Sequence, residues 1–217
     1  MKPWAFVSDF DGTISKKDFY HLVIEELFPE GEALFKQWKR GEMLDIDFLS
    51  RIFTSIHLEE EELIKTILTL PLDNYIGPFI ERVQKNGGDF YILSAGTDYY
   101  IKHIFDALGA ENVEIISNKG HFKSKNIHLE IDKNDWSYSE RYGIDKSKVI
   151  QKLKETYDAV YFYGDSEPDS HPAAFADVTF AKDALCGLLE KKGIAYIEAD
   201  SFVDVEAYLR GRGVLVI

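Results

Sequence analysis

Three short apolar runs restrict the fold of this chain more than anything else in it. Ala5–Ser8 leads into Asp9, Phe90-Tyr91-Ile92-Leu93 into Ser94-Ala95-Gly96-Thr97, and Ala159-Val160-Tyr161-Phe162-Tyr163 into Gly164-Asp165. Each run is too short for a core helix, is apolar on both alternating faces, and is closed by glycine or small polar residues. Strands of a parallel sheet read this way, because helices cover them above and below. Further strands are expected at Val113–Ile116, Val178–Phe180 and Ile194–Ile197. Amphipathic segments alternate with them at Asp98–Leu108, Lys146–Tyr157 and Phe202–Leu209. This order predicts an α/β fold with an open, parallel, Rossmann-like sheet.

Two stretches leave that rhythm. From Lys16 to Lys85 the pattern is almost wholly helical, with an apolar period of three to four in Phe19–Phe28, Glu32–Trp38, Phe48–Ile56 and Glu60–Leu68. It predicts a small all-helical cap at 16–85, inserted after the first strand of a catalytic core made of 1–15 and 86–217, with Gly87-Gly88 as the return hinge. Cap aromatics such as Phe28, Phe35 and Trp38 read as cap core. Val113–Asp132 alternates around Asn118-Lys119-Gly120 and predicts a β-hairpin flap. Trp136 and Tyr138, just beyond it, are candidates for the entrance to a site.

With 217 residues, 45% of them apolar and 29% charged, the chain has material for one core and a modest accessory module. Its net charge of −13 is spread along the chain without a basic stripe, which excludes a nucleic-acid partner. No run of about 18 apolar residues occurs and Met1-Lys2-Pro3-Trp4 lacks signal-peptide features, so a cytoplasmic protein with no membrane partner is expected, as monomer or homodimer. The lone Cys186 rules out a disulfide framework, and the six histidines show no ligand spacing.

In a parallel sheet, ligands bind at the carboxyl ends of the strands, so Asp9, Asp11, Ser94 and Asp165 should converge. These residues resemble the haloacid dehalogenase superfamily of phosphatases. Asp9-Phe10-Asp11-Gly12-Thr13 looks like its first motif and Leu93-Ser94-Ala95-Gly96 its second. Lys146, opening Lys146-Ser147-Lys148-Val149-Ile150, looks like the third, with Lys148 as competitor, and Gly164-Asp165-Ser166-Glu167-Pro168-Asp169 looks like the fourth.

The resemblance implies Mg²⁺-dependent hydrolysis of a small-molecule phosphate ester through an aspartyl-phosphate. Asp9 would attack phosphorus. At ~3.5 Å a carboxylate and a phosphate dianion repel by roughly 9 kcal/mol at an effective dielectric near 20. The implied remedies are Mg²⁺ held by Asp9, Asp165 and the Asp11 carbonyl, a phosphate-binding Lys146, and hydrogen bonds from Ser94 and the Ala95 and Gly96 amides. Ser94 also reads as a helix N-cap. Asp11 would be acid and then base, and Asp169 would orient Lys146 or a metal-bound water.

One branch of the superfamily places a four-helix cap between the first two motifs. It includes phosphatases for phosphoserine, for phosphocholine and phosphoethanolamine, and for hydroxy-keto-methylthiopentenyl phosphate, and the overall pattern is most similar to the last. Asp18, where phosphoserine phosphatases usually carry Glu, is the cap residue expected to face the leaving group. Two other readings stay open: a phosphomutase with the same aspartates, and a non-catalytic phosphate-ligand binding protein.

Overall fold

The computed structural model describes residues 3–216. Its main sheet has seven strands: β1 (Trp4–Ser8), β2 (Gly88–Thr97), β3 (Val113–Lys123), β4 (Asn126–Glu130), β7 (Ala159–Gly164), β8 (Val178–Ala181) and β9 (Ile197–Glu198). Two short strands, β5 (Tyr138–Ser139) and β6 (Gly143–Ile144), pair with each other. The order in the main sheet is β4-β3-β2-β1-β7-β8-β9, all parallel except β4. β1 lies centrally, paired in register with β2 (Ser8 opposite Ile92) and β7 (Ser8 opposite Tyr163). The order reverses there, opening the crevice in which such sheets bind ligands.

Burial explains the apolar runs. All five residues of β1 are buried, with Phe6 on one face stacked on Phe90 at 5.7 Å between ring centroids and edge-on to Phe79 at 4.8 Å. Val7 faces the other layer with Leu93, Val149 and Phe162. Each large apolar side chain removed from water contributes about 2–3 kcal/mol. Helix α6 (Asp98–Leu108) has the predicted bounds, because Thr97 caps its start through Tyr99 N–H and Gly109 closes it at φ 63°. The predicted strand Ile194–Ile197 shrinks to β9.

The helical stretch divides by what it packs on. A helical stretch of α1 (Phe19–Glu26), α2 (Gly31–Lys39), α3 (Asp45–Phe53) and α4 (Glu60–Ile67) follows β1, with α1 and α2 packed on α3 and α4 on α6. Its two connections run side by side, with Ser15 bridged to Leu72 and Lys16 N–H donating to the Pro71 carbonyl at 2.8 Å. Helix α5 (Ile76–Lys85) lies inside the stretch read as cap yet packs on the sheet, through Phe79 against Phe6 and Phe90. An amphipathic stripe looks the same whichever surface it covers, so the pattern could not separate α5 from the cap. Gly87-Gly88 is accordingly the turn from α5 into β2.

The hairpin is present with its turn elsewhere. Asn118-Lys119-Gly120 continues β3, and the chain reverses at Ser124-Lys125, at φ 50° and 66°. Asn118 is buried and donates to the Ala95 and Tyr142 carbonyls, both at 2.8 Å. The turn tip supports the cap: Lys125 offers its carbonyl to Leu58 N–H at 3.1 Å, and Asn126 accepts from His57 N–H at 2.9 Å.

Candidate active site

Past β1 the chain must turn sharply. Asp9 N–H still pairs with the Tyr163 carbonyl at 2.9 Å, and Gly12 then reverses the path at φ 83°. A Cβ on Gly12 would also stand 2.4 Å from Asp165 Oδ2, so a side chain here is excluded twice over. Thr13 closes the turn on the neighbouring strand by donating to Asp165 Oδ1 at 3.1 Å.

Lys146 is the hub of the buried chemistry. It is the first residue of α7 (Lys146–Lys154), whose N-cap Asp145 accepts from Ser147 and Lys148 N–H. Its ammonium donates to Asp9 Oδ1 at 2.5 Å and to Asp169 Oδ1 at 2.7 Å, and all three side chains are nearly inaccessible. Lys148 instead donates to the Tyr138 carbonyl at the surface. Asp169 is fully used: its other oxygen accepts from Asp165 N–H at 3.0 Å and Ser166 N–H at 3.2 Å.

Asp9, Asp165 and Asp169 offer carboxylate oxygens all within 4.8 Å of one another. Three carboxyl groups there share one ammonium, so ionising all of them is opposed by their mutual repulsion. Burial pushes the Asp9 carboxyl well above its ordinary value, with Asp169 adding to the rise and Lys146 opposing it. Burial and then Asp169 push Asp165 up to about 8. For Lys146, burial works against the charge, but Asp169 and Asp9 outweigh it and hold the ammonium above its usual range. An all-oxygen, electron-rich donor set of this kind fits a hard divalent cation.

Asp11 stands apart from that cluster. Its Oδ1 accepts from Phe19 N–H at 2.9 Å, and its Oδ2 from the Tyr100 hydroxyl at 2.5 Å and Ser94 Oγ at 3.4 Å. Burial, reinforced by Asp18 and opposed by these donors, raises it to about 7. The side chain of Asp11 is therefore not in the acid cluster, and any place it has among metal ligands falls to its backbone carbonyl. Ser94 does not cap a helix, since Thr97 does; its hydroxyl accepts from Gly96 N–H at 2.9 Å.

These groups open into a cavity of about 320 Å³. Asp9, Asp11, Ser94, Ala95, Gly96 and Lys146 form its floor, and Asp18, Tyr20, Trp38, Leu49 and Phe53 come from the cap. Trp38 serves the cap core as well, stacked on Phe48 at 4.5 Å. Arg141 and Tyr142, between β5 and β6, line the mouth with Glu167. Arg141 Nε pairs with Asp45 Oδ2 at 2.7 Å, and Tyr142 OH donates to Glu167. Trp136, by contrast, lines a separate cavity beside β3 and is exposed. The sequence reading missed Tyr100, Arg141 and Tyr142; none carries a pattern that distinguishes it from an ordinary core aromatic or loop residue.

Such a floor, with two carboxylates from one strand end, a buried lysine and an acid cluster fit for a cation, is matched by a known family. The model for haloacid dehalogenase-like hydrolase covers residues 6–171, and the chain belongs to that family. Within it the chain is a phosphoric monoester hydrolase. A relative from Bacillus cereus (strain G9842), named 2-hydroxy-3-keto-5-methylthiopentenyl-1-phosphate phosphatase, is 30% identical over 93% of this chain and 94% of its own length. A protein of the same name from Bacillus pumilus (strain SAFR-032) is 26% identical over 95% and 91%. The fold is also that of a substrate-bound phosphoserine phosphatase complex, with a TM-score of 0.68 at 16% identity over 95% of this chain and 97% of that one. Among the described residues no helix is long and apolar enough to cross a membrane.

Proposed function

We propose that the chain is a Mg²⁺-dependent phosphatase that forms an aspartyl-phosphate on Asp9. The observation that carries this reading is the Lys146 ammonium held between Asp9 and Asp169 while Asp11 is kept out of the cluster. A nucleophile needs a free lone pair and a neutralised surrounding, and an acid needs its own environment; the two aspartates are separated accordingly. Mg²⁺, held by Asp9, Asp165 and the Asp11 carbonyl, would supply positive charge against the phosphoryl oxygens.

An oxygen of Asp9 forms a bond to phosphorus as the bond from phosphorus to the substrate oxygen breaks. Asp11 gives its proton to that leaving oxygen. A water then loses a proton to Asp11 as its oxygen bonds to phosphorus, the Asp9–phosphorus linkage breaks, and inorganic phosphate leaves with Asp9 restored. Lys146, Ser94 and the Ala95 and Gly96 amides bind the phosphoryl oxygens throughout. Asp169 holds Lys146 in place.

For the substrate we favour a 2-hydroxy-3-keto-5-methylthiopentenyl phosphate, over phosphoserine, phosphocholine or phosphoethanolamine. The relatives that match nearly the full length carry that name. The charges at the mouth are already engaged, Arg141 with Asp45 and Lys39 above the Trp38 ring at 4.2 Å, which leaves Trp38, Leu49 and Phe53 as an apolar wall. An uncharged thioether tail suits such a wall, with Asp18 near its hydroxyl or keto end. We take the protein to act in the cytoplasm on a small metabolite; its net charge of −13 repels a phosphate ester at long range, so attraction rests on the local charge of Lys146 and a bound cation.

Phosphate release from a panel of these esters tests the reading. With Mg²⁺ the methylthio ester should give the highest kcat/KM, EDTA should abolish turnover, and Asp9→Asn should lower it by about 10⁴-fold or more on every ester. Retention of activity within tenfold in Asp9→Asn would remove the nucleophile assignment. An isomerised sugar phosphate without phosphate release would make the chain a mutase.

A further inference from the structure

Tyr100 is 1% exposed, its ring 4.4 Å from Phe19 with further contacts to Phe10 and Phe53, and it meets the cavity beside Asp11. A hydroxyl so placed must have a partner, and its partner is Asp11 Oδ2 at 2.5 Å. The fold reserves room for this bond. A Cβ at Gly96 would lie 1.8 Å from the Tyr100 hydroxyl and 2.9 Å from Asp11 Oδ2, so glycine at this place is also a slot for the tyrosine. The geometry points to Tyr100 as a positioning residue that holds Asp11 for both of its proton transfers.

This inference rests on the reading of Asp11 as acid and base, and it supplies what that reading lacks. Asp11 Oδ1 is held by the Phe19 amide of the cap. For Oδ2 the alternatives are Tyr100 and Ser94, and Ser94 is 3.4 Å away and assigned to a phosphoryl oxygen. Once Ser94 turns to the phosphate, Tyr100 alone keeps Oδ2 from rotating. A phenol suits the task because it can donate to the carboxylate and accept from the carboxylic acid, so it follows Asp11 through the cycle without exchanging a proton with it. Tyr100 reaches the cavity lining beside Asp11, but its hydroxyl is spent on Oδ2, so its effect passes through Asp11.

Tyr100→Phe keeps the ring and removes only the bond. With p-nitrophenyl phosphate, whose leaving group departs without protonation, the first step should survive and hydrolysis of the aspartyl-phosphate should slow. The expected result is kcat lowered about tenfold to hundredfold, KM lowered in proportion so that kcat/KM stays within about threefold, and a burst of about one nitrophenolate per enzyme that the wild type does not show. Tyr99→Phe, one residue away with its hydroxyl on Glu60 at the surface, should show neither change. Gly96→Ala should be slower than Tyr100→Phe in both steps, because its Cβ would press on Asp11 Oδ2 as well as on the Tyr100 hydroxyl. In an Asp11→Asn background, Tyr100→Phe should cost nothing further. If Asp11→Asn is slow while Tyr100→Phe turns over within twofold of wild type and without a burst, the positioning role is wrong. If Asp11→Asn itself turns over normally, the acid–base reading fails instead.

Discussion

The floor and the wall of the cavity are built by opposite means. At and just under the floor, Asp9, Lys146 and Asp169 are almost inaccessible, lie within 2.5–2.7 Å of their partners, and come from the end of β1, the first turn of α7 and a 3-10 turn after β7. On the wall, Trp38, Leu49 and Arg141 come from helix faces and a loop, and Arg141 is 55% exposed. Chemistry on a dianion demands fixed charge in a dry place, which few backbones can hold, whereas a leaving group needs only a surface of suitable shape and polarity. The reaction is thus set by a few positions, and selection by many loosely constrained ones.

The contrast is sharpest at Lys146. Lys146→Met leaves Asp9 and Asp169 facing each other in a buried site without a counter-charge, which should cost about 3–5 kcal/mol of stability. Phosphatase activity should fall by more than a hundredfold. Lys148→Met, two residues on and at the surface, should change stability by less than about 0.5 kcal/mol. Thermal melts with and without Mg²⁺ would check this, and added Mg²⁺ should recover part of the loss in Lys146→Met by replacing the missing positive charge. Equal melting of the two variants would erase the distinction between floor and surface.

The wall should respond more weakly and more selectively. Trp38→Ala removes an aromatic face worth about 1.5–3 kcal/mol to an apolar leaving group. For the methylthio ester, kcat/KM should therefore fall about tenfold to hundredfold. For acetyl phosphate, whose leaving group is too small to span the cavity, the change should stay within threefold. A uniform loss on both would mean that Trp38 supports the floor through the cap core rather than selecting the substrate.

The same division decided what could be read from the chain. Asp9, Ser94 and Asp165 follow short apolar runs, where a strand leaves a side chain little choice of direction, and Lys146 opens an apolar helical repeat. Tyr100 is invisible by that route, because a tyrosine on the buried stripe of α6 looks like any core aromatic until its hydroxyl is placed. Arg141 and Tyr142 sit in an irregular loop, where no period constrains them. Helix α5 packs on the sheet through Phe79, yet its stripe is that of the helices before it, so the pattern groups it with them. The hairpin turn was misplaced because Ser124 and Lys125 take positive φ without glycine, while Asn118-Lys119-Gly120 carries turn chemistry and spends it on packing.

The smallest effect tests whether the two regions are coupled at the mouth. Arg141 joins them twice: its guanidinium meets Asp45 on cap helix α3, and its carbonyl accepts from Ile46 N–H at 3.0 Å. The guanidinium end of the pair is 55% exposed, although Asp45 is 13%, so water and salt reach it, and a double-mutant cycle of Arg141→Ala and Asp45→Ala should give a coupling below about 1 kcal/mol. That coupling should shrink further between 0.05 and about 1 M salt as the screening length shortens from above 10 Å to about 3 Å. The backbone bond is untouched by either substitution, so the cap should stay seated and turnover on p-nitrophenyl phosphate should change less than threefold. A coupling of several kcal/mol that ignored salt would place Arg141 with the buried charges of the floor. The mouth would then be a locked joint between cap and core, and selection could no longer be separated from the chemistry beneath it.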